Sequence, residues 1–336
     1  MTLIGVHNAY FPCVRRGVSR FRPRGAPVAA SRDSPARLGY SWQQTTRIIY
    51  AAKGHAVLAD YHVHCMFSDD SWYRPEQVVS DAWKQNLDEI CFTDHVDYGI
   101  KPDWEDALSA KVAEGQRVLN VDYAAYFPCI ADLRARWADR ISIKCGLEFG
   151  VQTHTIPQFN ALWDAWGDQL DFTLLSIHQV DDAEFWTGEF QEGRSQEEYN
   201  RAYYQELYDV TTSFEHWSVL AHLDLIKRYA PAGILDFPAN RDLVAATLEH
   251  VIAQGKGIEL NTSSIRYGLK DSQPAEEILR LYRDLGGNII TLGSDSHAPE
   301  HLGAYLRHFQ RYLASLGFEG FYTYDRMVPT FQPFER

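Results

Sequence analysis

From Ala56 onward, short runs of β-branched or apolar residues alternate with longer stretches in which apolar residues recur three and four apart. The runs suit buried strands, and the longer stretches suit helices carrying one apolar stripe. Seven strands are expected: Ala56 to Tyr61, Glu89 to Thr93, Ile141 to Leu147, Phe172 to Ile177, Trp217 to Ala221, Gly257 to Leu260 and Asn288 to Leu292. Amphipathic helices are expected over Pro75 to Asn86, Gln196 to Val210, Arg241 to Gln254 and Pro274 to Leu285. Pro75 and Pro274 suit a first helical turn, and Gly286 and Gly287 suit a stop. Repeated β-α units of this kind build a parallel sheet, either open and doubly wound or closed into a barrel.

The residues that follow the strands favour closure. His62 and His64 follow the first, Asp94 and His95 the second, Glu148 the third and His178 the fourth; His222 and Asp224 follow the fifth, Asn261 the sixth, Asp295 and His297 the seventh. In a parallel barrel all carboxyl ends meet on one face, where these side chains share a site. An open sheet spreads them along an edge.

Composition narrows the setting. The chain has 336 residues, 45% of them apolar, enough for one large catalytic domain, expected over residues 56 to 336. No run of 18 uncharged apolar residues occurs and no secretory pattern opens the chain, so a soluble, cytoplasmic protein without membrane contact is expected. The five cysteines, Cys13, Cys65, Cys91, Cys129 and Cys145, include no C-x-x-C pair and suit reduced thiols. Net charge is −13, yet residues 1 to 55 hold nine Lys or Arg against one acid, Asp33. Rich in Pro, Gly, Ser and Ala, this leader is expected to be disordered; its composition fits both a solvated arm and an organellar targeting segment. The acidic remainder argues against a nucleic-acid groove and leaves room for a small phosphorylated substrate.

Imidazole nitrogen and carboxylate oxygen are ligands of Zn, Mn and Fe. A lone H-x-H is weak evidence, but the run from Asp60 to His64, with Asp70 six residues on, is reinforced at five further strand ends. Taken in order, His62-Val63-His64, Thr93-Asp94-His95, Gly146-Leu147-Glu148, Ser176-Ile177-His178, His222-Leu223-Asp224 and Ser294-Asp295-Ser296-His297 resemble the motifs of the PHP (polymerase and histidinol phosphatase) superfamily. The strings Ile258 to Ser263, Gly286 to Asp295 and Ala221 to Tyr229 are similar to its histidinol-phosphatase branch. The resemblance spans roughly Asp60 to Gly303.

It implies a distorted (β/α)7 barrel of TIM-like form with a three-metal site held by His62, His64, Asp70, His95, Glu148, His178, His222, Asp295 and His297, Glu148 bridging two ions. Many members have histidine where Asp70 stands, and Asp69 adjoins it. The metals are left as Zn, Fe or Mn. The implied reaction is hydrolysis of L-histidinol phosphate to L-histidinol and phosphate, in histidine biosynthesis. Arg228 and Arg266, each shortly past a strand end, are candidates for the phosphate because guanidinium matches it bidentately; Lys227 is the fallback. His222 and Asp224 are candidates for protonating the leaving group, and Asp224 equally for orienting His222. Phe185, Trp186 and Tyr267 either stack on the substrate or pack, and Cys65 is expected to pack. His154, His216, His250, His301 and His308 are read as surface or structural. Competing readings are a PHP phosphoesterase for nucleotides or DNA ends, an amidohydrolase, and a non-catalytic metal-binding domain. Oligomeric state is left open.

Overall fold

A computed structural model of the chain describes residues 56–113, 116–230 and 235–335. The basic leader, with Cys13 and the expectation of disorder, lies outside the described residues.

Seven strands alternate with seven helices: β1 (Ala59–Val63), α1 (Pro75–Lys84), β2 (Glu89–Val96), α2 (Tyr123–Trp137), β3 (Ser142–Gly150), α3 (Ile156–Trp166), β4 (Phe172–Ser176), α4 (Gln196–Ser213), β5 (Val219–Leu220), α5 (Arg241–Ala253), β6 (Gly257–Asn261), α6 (Glu276–Asp284), β7 (Ile290–Gly293) and α7 (Leu306–Ser315). The strands are parallel and lie side by side in chain order. The ring closes where Val63 bridges Ser296 just beyond β7, with His64 N donating to Ser296 O at 2.8 Å and Ser296 N to His62 O at 3.2 Å. This is a (β/α)7 barrel. Helices cover its outside; α6 shows why, burying Ile278, Leu279, Leu281 and Tyr282 along one stripe. No described helix is long and apolar enough to cross a membrane.

Two layers fill the lumen. At the amino end, Tyr61 packs edge-on against Phe172 with ring centres 5.0 Å apart, and a C-terminal hairpin, β8 (Gly320–Asp325) and β9 (Val328–Pro333), closes the bottom. At the carboxyl end the lumen is lined by imidazoles and carboxylates. Between the layers β1 is bulged: Asp60 pairs with Ile90, but Val63 pairs with Phe92. One residue too many on β1 lets Tyr61 and His62, adjacent in sequence, both face the lumen.

Element bounds moved slightly. β1 starts at Ala59 and reaches Val63, and β5 is only Val219–Leu220. Pro75 opens α1 as expected, and Gly286 (φ 94°) follows α6 in the left-handed conformation that glycine tolerates. Pro274 does not start α6. Ala275 N is taken by Asp224 Oδ2 at 2.9 Å and Glu276 N by Asp271 Oδ2 at 3.2 Å, so acceptors outside the helix define its start two residues later. Cys65, Cys91, Cys129 and Cys145 are unbridged.

Candidate metal centre

Glu148 stands in β3 with β2 and β4 on either side, fully buried, its carboxylate in the lumen. Five imidazoles from four other strand ends surround it. His222 Nε2 lies 2.8 Å from Oε1 and His178 Nε2 3.1 Å from the same oxygen. His62 Nε2 and His95 Nδ1 lie 3.1 Å, and His64 Nε2 3.3 Å, from Oε2. Asp295 Oδ1 follows at 3.6 Å from His62 Nε2, and the His297 ring stacks on His64 with centres 3.9 Å apart. All nine residues named from the sequence thus meet at one end of the barrel. Asp70 is among them, its Oδ2 3.2 Å from His297 Nε2 and 3.6 Å from His95 Nε2, whereas Asp69 turns to Lys101.

Donor atoms within 4.8 Å of one another form overlapping groups: His62, His222 and Asp295; His62, His64 and Glu148; His64, His95 and His297; Glu148, His178 and His222; His95, Asp97 and His178. Ligands about 2.0–2.2 Å from one tetrahedral ion sit about 3.3 Å apart, the spacing found around Glu148. Hydrogen bonding does not account for every contact. His64 Nε2, His95 Nδ1 and His222 Nδ1 are buried without a hydrogen-bond partner among the described residues. The His64 and His95 nitrogens, buried and unpaired beside the shared Glu148 carboxylate, fit divalent metal ions.

The electrostatics agree. Burial works against the Glu148 carboxylate, yet the charges of His62, His178 and His95 hold its pKa well below the usual range. Burial and the neighbouring His297 and His95 push His64 well below an ordinary histidine, and burial lowers His222. His62 and His95 move the other way, because the carboxylates around them outweigh desolvation. So crowded a set cannot all carry protons, and divalent ions would relieve the same crowding.

Behind the ligands lies a layer that the sequence reading missed. Asp97 Oδ1 meets His178 Nδ1 at 2.7 Å, and its Oδ2 is held in turn by Lys101 Nζ at 3.0 Å. Ser68 Oγ lies 3.1 Å from His64 Nδ1 and donates to Asp94 Oδ1 at 2.8 Å. Glu259 Oε1 meets His62 Nδ1 at 2.7 Å. Such partners fix the tautomer and ring angle of a metal-binding histidine. Two candidate ligands also hold strained backbone, His222 at φ 22° and Asp295 at φ 56°.

The Arg228 side chain is buried at the rim. Its Nε donates to Gln273 Oε1 at 2.7 Å, one terminal nitrogen to Asp295 Oδ2 at 3.0 Å, and the other to Asn261 Oδ1 at 3.2 Å and Ser263 Oγ at 2.6 Å. Arg266 instead donates to two backbone carbonyls, Ser294 O at 3.2 Å and Asp295 O at 2.8 Å, bracing the loop that bears two candidate ligands. Tyr267, half exposed, lies over both guanidinium groups. No hydrogen bond joins Asp224 to His222 among the described residues. Asp224 Oδ2 accepts from Lys227 Nζ at 2.7 Å and from Ala275 N, and its Oδ1, like His222 Nδ1, has no hydrogen-bond partner among the described residues. Lys227 is spent on Asp224 and Ser272 O. Phe185 is buried against Phe190 and Tyr203, while Trp186 is exposed. Cys65 is buried with its Sγ 3.1 Å from Asp94 Oδ2.

Residues 60–263 match the PHP domain family. The chain belongs to that family. Among curated relatives of this PHP protein, the histidinol-phosphatase of Lactococcus lactis is 31% identical over 80% of this chain and 94% of its own length. That of Saccharomyces cerevisiae is 21% identical, covering 78% and 88%. Among solved structures, histidinol phosphate phosphatase from L. lactis, complexed with zinc, L-histidinol and phosphate, superposes with a TM-score of 0.71 at 29% identity, covering 81% of this chain and 98% of that one. A putative histidinol phosphatase from Listeria monocytogenes gives 0.62 at 18% identity, covering 74% and 99%, and supports the fold alone.

Proposed function

We propose that this PHP protein is a metal-dependent histidinol-phosphatase, hydrolysing L-histidinol phosphate to L-histidinol and inorganic phosphate. The observation that carries the reading is the ring of five imidazoles around Glu148, in a chain 31% identical to a histidinol-phosphatase. His62, His64, Asp70, His95, Glu148, His178, His222, Asp295 and His297 would hold the metals, with Glu148 shared between groups. Three ions are proposed, drawn from zinc, iron and manganese; the L. lactis structure contains zinc. When bound, divalent ions lower the pKa of coordinated water from about 15.7 toward about 7 and offset charge on phosphoryl oxygens.

The chain's own residues supply the rest. Arg228 holds its guanidinium fixed beside Asp295, and we assign it the role of donor to a phosphate oxygen. Its attachment to Asp295 ties that cation to the ligand set. Arg266 acts through the backbone of Ser294 and Asp295, keeping the strained turn in place. For His222 we assign Nε2 to metal binding. For Asp224 we assign anchorage of Lys227 and of the start of α6.

Phosphate release from L-histidinol phosphate, measured beside metal analysis of the same preparation, tests the proposal. Nucleoside monophosphates and a short oligonucleotide serve as competitors. Faster turnover of either would replace the reading with a nucleotide or DNA-end phosphoesterase.

A further inference from the structure

Glu259 is the fully buried centre of β6, and a carboxylate in so enclosed a place is costly unless its oxygens are engaged. Each oxygen takes a different partner. Oε1 meets His62 Nδ1 at 2.7 Å, and Oε2 accepts the backbone N–H of His222 at 2.9 Å and Asn261 Nδ2 at 3.1 Å. One side chain therefore holds a histidine carried by β1 and the strained backbone of another beyond β5. These two, with Asp295, form one of the donor groups.

Space has been cleared for this pairing. A Cβ on Gly293, in the neighbouring β7, would lie 2.2 Å from Glu259 Oε1 and 2.3 Å from His62 Cβ. Gly293 does not need positive φ, so close approach alone demands glycine there.

We infer that Glu259 is a positioning residue for metal binding: it fixes His62 with the proton on Nδ1, turns Nε2 toward Glu148 and Asp295, and holds His222 in its left-handed conformation. The inference rests on the metal reading above. With Nδ1 donating to Glu259, the lone pair of Nε2 is the one left for a cation, which is how carboxylate partners set histidine ligands. Asn261 links the same carboxylate to Arg228, so the carboxylate also bears on the candidate phosphate contact.

Glu259→Gln keeps the shape and loses the charge. In the manganese- or zinc-loaded full chain, ion content measured by mass spectrometry and affinity by titration are expected to fall about 10- to 100-fold for one ion, with the remaining ions retained. A folded variant, judged by circular dichroism, that binds every ion as the parent does would overturn the inference. A second readout needs no variant. In histidine labelled with ¹⁵N, the His62 ring of the loaded parent is expected to show the Nδ1-protonated tautomer; an Nε2-protonated ring would overturn the inference as well. Should the parent itself bind no metal, the metal reading fails and this one with it, an outcome distinct from parent binding with an indifferent variant.

Discussion

Asp69 and Asp70 are adjacent in the chain but face different partners: Asp69 Oδ1 accepts from Lys101 Nζ at 2.6 Å, while Asp70 Oδ2 lies 3.2 Å from His297 Nε2. Sequence alone offers either carboxylate to the metals, and only the direction of each side chain separates them. Asp70→Ala is therefore expected to cost about 100-fold or more in activity and to lower metal content. Asp69→Ala should leave both nearly intact, because Lys101 keeps Asp97 at 3.0 Å. Metal analysis of the two variants with phosphate-release kinetics checks this; equal losses would contradict the assignment.

The two arginines should differ as sharply. Arg228→Lys retains the charge but not the fork that reaches Gln273, Asp295, Asn261 and Ser263 together, and a loss of about 100-fold in kcat/KM is expected. Arg266→Ala removes two bonds to carbonyls and should act on thermal stability at least as much as on KM. Arg228→Lys with unchanged kcat/KM would remove that residue from phosphate binding.

Most of the barrel could be read from the chain because each parallel strand is buried on both faces, giving a continuous apolar run, and all but the sixth lead into a candidate ligand. What escaped lacked such a signal. Glu259 lies inside a strand rather than at its end, and Asp97 two residues past a ligand reads as an ordinary loop acid. The bulge in β1, which turns His62 into the lumen beside Tyr61, leaves no trace in the hydrophobic pattern. Nor does the C-terminal hairpin, whose Val328 and Phe331 are exposed, announce that it closes the barrel floor. The role of Asp224 is open in the sequence for a different reason: proximity to His222 in sequence says nothing of which way a carboxylate turns after a strand ends.

Metal uptake should release protons. Burial alone would lower His178, but Glu148 and Asp97 outweigh it and push its pKa up to about 9. The metal-free ring is therefore charged at neutral pH, and an ion must displace that proton before Nε2 can bind. Apparent affinity is expected to climb as pH rises from about 6 to about 9, by up to about tenfold per unit for each proton released, and then to level off. Calorimetric titration of metal-free protein at neutral pH, in buffers of different ionisation enthalpy, measures the release. No net proton exchange would mean that His178, and with it His62 and His95, is neutral before metal arrives.

The opposite end of the barrel should be separable from the chemistry. Tyr61 donates its hydroxyl to the buried Glu89 carboxylate and accepts from Tyr324 N at 2.6 Å, joining β1, β2 and the C-terminal hairpin beneath the aromatic layer. Tyr61→Phe leaves the ring on Phe172 but removes one hydrogen bond from the buried Glu89 carboxylate and one from Tyr324 N, a loss of about 1–3 kcal/mol. Because His62 is the next residue, a rigid coupling through the backbone would also disturb the metals. The bulge opposes that coupling, since Val63 N is held independently by Thr93 Oγ1 at 3.0 Å and His62 N by Asp60 Oδ1 at 3.3 Å. The expected outcome is a lower Tm with metal content and kcat unchanged. A matching fall in metal content would show that the floor of the barrel, and not only the ligands' own partners, sets the geometry at its mouth.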